Sequence, residues 1–278
     1  MSATAVSAAL PMLLLALVSV AVVAALIAQP WLTRRRRARL RARPFPAAWR
    51  KTLRRRVPIA ARLPPELQLR LKRHIQAFIA EKPFIGCQGQ AITDDVRVTI
   101  AAHACLLLVG HTQPDYYPRL RQILVYPTAF VVNRERTLGG GLVQAQRHTL
   151  AGESWAQGQV ILAWDEVLSS AANPSDGRNV ALHEFAHQID QDTGMADGQP
   201  WRPGPNARRR WSAVMCAAFD KLRSEPSTVI DRYGASEPAE FFAVVTEVFF
   251  ERPQALAAEA PTVYAELARL YRTNPMDW

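Results

Sequence analysis

The stretch His183-Glu184-Phe185-Ala186-His187 constrains this chain more than any other, because its two histidines can act together only on an α-helix. Four residues apart, they project from one helical face, close enough to hold one tetrahedral metal ion through ring nitrogens. Glu184 lies beside that face, where an attacking water would stand, and can serve as its general base. The flanks support a helix. Asn173-Pro174-Ser175-Asp176-Gly177 reads as a turn, with Asp176 or Asn179 available as N-cap. Val180, Ala181, Leu182, Phe185, Ala186 and Ile189 make the helix apolar on several sides, and Gly194 supplies a stop. Two histidines and a glutamate buried in such a helix need compensation, which a metal ion provides. The plain alternative is a solvated helix carrying two spectator histidines.

A catalytic zinc ion takes three protein ligands and keeps one position open. The candidate third ligand lies in Tyr233-Gly234-Ala235-Ser236-Glu237-Pro238-Ala239-Glu240-Phe241-Phe242-Ala243. Ser236 and Pro238 mark a helix start, and the apolar run through Phe249 carries that helix to Pro253. Glu240 falls in its first turn among apolar residues, where an acid needs a cationic partner. Glu237 is a rival ligand nearer the solvated turn. Glu247, two turns on, has a supporting or structural role. Tyr233 can either donate its phenol O–H to an oxyanion or simply pack. Asp190, three residues after His187, can accept a hydrogen bond from a ligand histidine and fix its ring.

His-Glu-Phe-Ala-His-x-x-Asp followed by Tyr-x-x-x-x-Pro-Ala-Glu-x-Phe-Ala resembles the Mlc titration factor A family of zinc-dependent metallopeptidases. Upstream segments read like the same family: Phe84-Ile85-Gly86-Cys87, Ile92-Thr93-Asp94-Asp95-Val96-Arg97, Ile123-Leu124-Val125-Tyr126-Pro127 and Gly158 to Trp164. The resemblance covers roughly residues 64–275, and that family's core is in turn similar to anthrax lethal factor. It implies one zinc held by His183, His187 and Glu240, with Glu184 as base and Tyr233 as transition-state donor. It also implies a possible transcriptional regulator as partner, since the soluble namesake binds a sugar-responsive repressor. Soluble members lack the N-terminal segment of this chain.

Met1 to Thr33 contains no charged residue, and Leu10 to Ala28 is almost wholly apolar. Nineteen helical residues span roughly 28 Å, enough for a bilayer's hydrocarbon core. A cleavable signal peptide is the alternative, but its basic leading region is missing. Between Arg34 and Arg56 stand twelve basic residues and no acid; the net charge of +10 therefore becomes −2 without them. Basic residues beside a span remain on the cytoplasmic side and suit anionic headgroups. Nucleic-acid binding is the competing use of such a tract, and none is expected directly after a spanning helix. Cys87, Cys105 and Cys216 show no paired spacing, which fits a reducing compartment.

These readings give an α+β zincin-like metallopeptidase domain over residues 63–278. An anchor over 1–33 and an arginine-rich linker over 34–62 precede it. Helices are expected over Pro64–Ala80, Asp94–Val109 and Arg208–Leu222, and short strands at Ile123–Tyr126, Phe130–Val132 and Val160–Trp164. Gly139-Gly140-Gly141 reads as a turn between two strands. The strand ending near Trp164, directly before the metal helix, is a candidate edge for an extended peptide. The expected activity is peptide hydrolysis by a metal-activated water at the bacterial inner membrane, with the catalytic domain in the cytoplasm. The alternative is a binding protein that sequesters a regulator and hydrolyses little.

Overall fold

The computed structural model describes residues 3–138, 142–150, 152–155 and 158–278. The expected Gly139-Gly140-Gly141 turn lies outside them. The chain divides into two compact units, Met1–Pro44 and Phe45–Trp278. The first is a helix, α1 (Ala3–Ala42). Its Leu14–Ala42 part is, by length and composition, long and apolar enough to cross a membrane.

The second unit opens with α2 (Ala47–Arg56), a 3-10 turn at Pro58–Ala61, α3 (Pro65–Glu81), β1 (Phe84–Gly86), α4 (Asp94–Leu106) and β2 (Gln122–Tyr126). It continues through β3 (Phe130–Leu138), β4 (Leu142–Leu150), β5 (Gly152–Trp155), β6 (Gln159–Ala163) and α5 (Trp164–Ala172). The C-terminal part is helical: α6 (Val180–Asp190), α7 (Pro205–Ser224), α8 (Pro238–Glu251), α9 (Pro253–Glu259) and α10 (Pro261–Tyr271).

One mixed sheet runs β1-β2-β6-β5, with β1, β2 and β6 parallel and β5 antiparallel to β6. β3 and β4 form a separate antiparallel hairpin, Phe130 opposite Leu150 through Leu138 opposite Leu142. Val160, Ile161, Leu162 and Ala163 are all buried, the continuous apolar run of a strand covered on both faces. This corrects the expectation at Trp164: β6 is an interior strand, and among the described residues β5 forms the edge beside it. Nor does the strand lead straight into α6, the helix of the histidine motif. Trp164 starts α5, which intervenes.

Residues 45–62, expected as linker, belong instead to the compact unit. Trp49, Leu53 and Val57 recur every four positions, so α2 buries one apolar face although half its residues are basic. Leu53 and Val57 are 5% and 1% exposed. The acids that open α4 add polar ties to α2: Asp94 accepts from Trp49 Nε1 at 2.9 Å, and Asp95 pairs with Arg55. The basic count had masked the apolar spacing.

α8 lies at the centre, buried almost throughout from Ala239 to Glu251. α6 packs against it and turns Phe185 to the opposite side, where its ring meets Phe78 edge-on at 5.8 Å and Tyr117 at 5.1 Å. The two helices carrying the motif residues are thus held by core packing, before any ligand enters.

Candidate metal centre

Asn179 starts α6, accepting from Leu182 N–H at 3.1 Å; this settles the choice of cap, since Asp176 is used by the preceding turn. Facing it, α8 presents Glu240, Glu247 and Glu251, spaced seven and four residues apart and therefore on one helical face. All three point at α6. Glu251 accepts from Asn179 Nδ2 at 3.0 Å and from Gly177 N–H at 3.2 Å. Glu247 takes the Asn179 N–H with one oxygen and meets His183 Nδ1 at 2.8 Å with the other. The α8 carboxylates thus fix both the start of α6 and the ring of its first histidine.

An ionised carboxylate only accepts, so His183 carries its proton on Nδ1 and directs Nε2 the other way. There Nε2 lies 3.0 Å from Glu240 Oε2 and 3.1 Å from His187 Nε2, and His187 Nε2 lies 3.5 Å from Glu240 Oε2. Tetrahedral ligands bound at about 2.0–2.1 Å stand roughly 3.3 Å apart, so this triangle has the size that a zinc ion requires. Two imidazole nitrogens and a carboxylate are also a donor set that zinc accepts. The three side chains form one possible metal-binding group, and the residues present fit the ion. Burial by itself would depress the His183 pKa. Hydrogen bonds to the Glu240 and Glu247 carboxylates, which favour the protonated ring, outweigh it and raise the value well above normal. Burial likewise opposes ionisation of Glu240, but the two histidines hold its carboxyl well below the usual range. Both shifts report a site built to favour positive charge.

Glu184, one residue past the first histidine, is 5% exposed. Tyr233 sits in a 3-10 turn, Arg232–Ala235, with its ring centroid 6.0 Å from that of His183. At 55% exposure it is not a core tyrosine. Asp231 secures the turn by accepting from Tyr233 N–H at 2.9 Å and pairing with Arg178. Glu237, the rival ligand, occupies the exposed N-cap position of α8, outside the donor triangle.

Asp190 is fully buried and accepts from Gly198 N–H at 2.7 Å. Burial raises its pKa to about 6, while the Gly198 bond and the His187 charge pull it down. It therefore ties the end of α6 to the long insertion. Gly198 has φ +74° and sits where a Cβ would lie 2.6 Å from the Pro238 carbonyl oxygen, so the insertion closes on the start of α8 only through a glycine. The sequence reading missed Gly198, and it missed the pairing of Asn179 with Glu251. The one available signal for Glu251 was its position four residues beyond Glu247.

A family model for glucose-regulated metallo-peptidases, M90, matches residues 31–272. The chain belongs to this family. Membership implies a metal ion, for which the His183, His187 and Glu240 group is a possible site. The match begins at Trp31, so it takes in the arginine run that the motif resemblance had left out. Among relatives, the uncharacterized protein slr2042 of Synechocystis sp. is 41% identical over 239 residues, 84% of this chain and 86% of the relative. Mlc titration factor A of Salmonella agona is 31% identical over 226 residues, covering 79% of this chain and 84% of its own. The protein of the same name from Escherichia fergusonii is 31% identical over 227 residues.

Proposed function

We propose that this M90 family member is a membrane-anchored, zinc-dependent peptidase that hydrolyses peptide bonds. The observation that carries the reading is the donor triangle of His183, His187 and Glu240, with the Tyr233 ring near His183 and the buried Glu184 next to His183 in sequence. Those three side chains would hold the zinc. When bound, zinc supplies Lewis acidity, polarising a carbonyl and making a water more acidic. Glu184 takes the water's proton and later delivers it to the leaving amine. The Tyr233 hydroxyl donates to the oxyanion as the carbonyl becomes tetrahedral. Glu247 keeps the His183 proton on Nδ1, so that the ring offers its Nε2 lone pair inward.

The apolar part of the Leu14–Ala42 segment and the basic residues from Arg34 onward support a single-pass anchor in the bacterial inner membrane, with Phe45–Trp278 in the cytoplasm. Anionic lipid is then a partner alongside the peptide substrate. A second reading, a regulator-binding protein with little hydrolysis, draws on the name Mlc titration factor A carried by relatives. A peptide-library cleavage profile separates the two, with Glu184→Gln as control. The peptidase reading expects cleavage that disappears in Glu184→Gln while zinc is retained. Tyr233→Phe should keep zinc and lose on the order of 10²-fold in turnover, the cost of one oxyanion donor. Zinc-loaded protein that cleaves no library peptide would favour the binding reading.

A further inference from the structure

α2, the following 3-10 turn and α3 enclose a groove of about 320 Å³. Its floor is Leu53, Val57 and Ala60, which are 5%, 1% and 6% exposed. Its rim carries Arg50, Arg54 and Lys72, and no carboxylate lines it. The neighbouring arginines are spent elsewhere: Arg55 and Arg56 pair with Asp95, and Arg97 pairs with Asp94. Among the described residues Arg50, Arg54 and Lys72 have no anionic partner. Arg50 and Arg54 lie four apart on one helix, an arrangement in which like charges repel. Three converging cations above an apolar floor form a socket for an anion that carries hydrocarbon.

We propose that this groove binds the phosphodiester headgroup of one anionic phospholipid, with the cations around the phosphate and the apolar floor under the start of the acyl chains. The proposal rests on the reading of α1 as a membrane span. In sequence, only six residues separate Arg43, the last arginine before the second unit, from Arg50 on the groove's rim. Its cations come from two elements, so it is a built site and not merely a continuation of the arginine run: Lys72 belongs to α3, far from the tract in sequence. The contact would orient the peptidase unit against the bilayer.

The test uses the full chain in neutral detergent micelles, titrated with phosphatidylglycerol, phosphatidylcholine and inorganic phosphate, with lipid retention read by native mass spectrometry. The variant is Arg50→Gln/Lys72→Gln with Arg54→Gln. The control is Arg208→Gln/Arg209→Gln/Lys221→Gln, three exposed basic residues of α7, outside both the groove and the arginine run. Wild type and control should bind phosphatidylglycerol, and the groove variant roughly 10²-fold more weakly, at about fivefold per basic residue. Its melting temperature and zinc content should stay close to wild type, since glutamine keeps part of each aliphatic stem over the floor and none of the three belongs to the metal group. Equal phosphatidylglycerol binding by the groove variant, or loss in the control variant, overturns the proposal. Inorganic phosphate bound as tightly as the lipid identifies a soluble-anion site and overturns it too. Membrane fractionation of the intact chain tests the anchor separately; a soluble chain that still binds phosphatidylglycerol through the groove refutes the span alone.

Discussion

Glu247→Gln is the most informative single change, because Glu247 serves two donors with two oxygens: His183 Nδ1 at 2.8 Å and the Asn179 N–H. Glutamine keeps one oxygen and replaces the other with an NH2, so one donor must face a donor. If the amide oxygen remains with Asn179, the NH2 faces Nδ1 and drives the imidazole proton to Nε2, the atom aimed at the metal. Loss of such a ligand-orienting partner weakens metal binding by about 10–100-fold, or about 1.4–2.7 kcal/mol. If the oxygen remains with His183, the buried Asn179 N–H at the start of α6 goes unsatisfied, at about 1–3 kcal/mol of stability. In a unit of this size that lowers the melting temperature by about 2–4 °C per kcal/mol. Two assays tell these apart: zinc affinity by chelator competition at pH 7, and melting of the chelated protein. A Glu247→Gln protein with wild-type zinc affinity and wild-type melting temperature would refute the idea that α8 positions the first histidine.

His183→Ala, His187→Ala and Glu240→Ala should each strip zinc from the purified protein, because three ligands leave no redundancy; full metal content in Glu240→Ala would remove that residue from the site. Burial lifts the Glu251 pKa from 4.5 to about 8 despite the opposing Asn179 bond. The folded chain then holds a proton that the unfolded chain releases, so stability should fall as pH rises from about 4.5 to about 8, by up to about 1.4 kcal/mol per unit. Glu251→Gln, neutral throughout, should flatten that slope in denaturant titrations at pH 5 and pH 8; an unaltered slope would clear Glu251 of responsibility. Removing residues 1–44 should leave a soluble, zinc-binding protein, whereas removing 1–56 should cost at least the burial of Leu53, about 1.5–3 kcal/mol, and uncover α4. Equal melting temperatures for the two truncations would show that α2 is dispensable.

The helix of the histidine motif was legible in the sequence because its information is local. A spacing of four fixes His183 and His187 on one face wherever the helix lies, and turn chemistry marks its start. The same holds for Glu240 in the first turn of α8 and for the uncharged stretch before the arginines. Neither the order of the strands nor the use of Asp190 could be read this way. β6 and β5 pair through backbone groups that every residue carries, so nothing in Val160–Trp164 says which strand is the edge. Asp190 has the helical phase of a histidine partner, and the fold adds a second use, because Gly198 brings a backbone N–H onto its carboxylate by a close approach to Pro238. The assignment of Glu247 to His183, and of Glu251 to Asn179, joins residues 64 and 72 positions apart. Local sequence dictates which face of a helix a side chain occupies. Only the packing of α6 against α8 decides what that face meets.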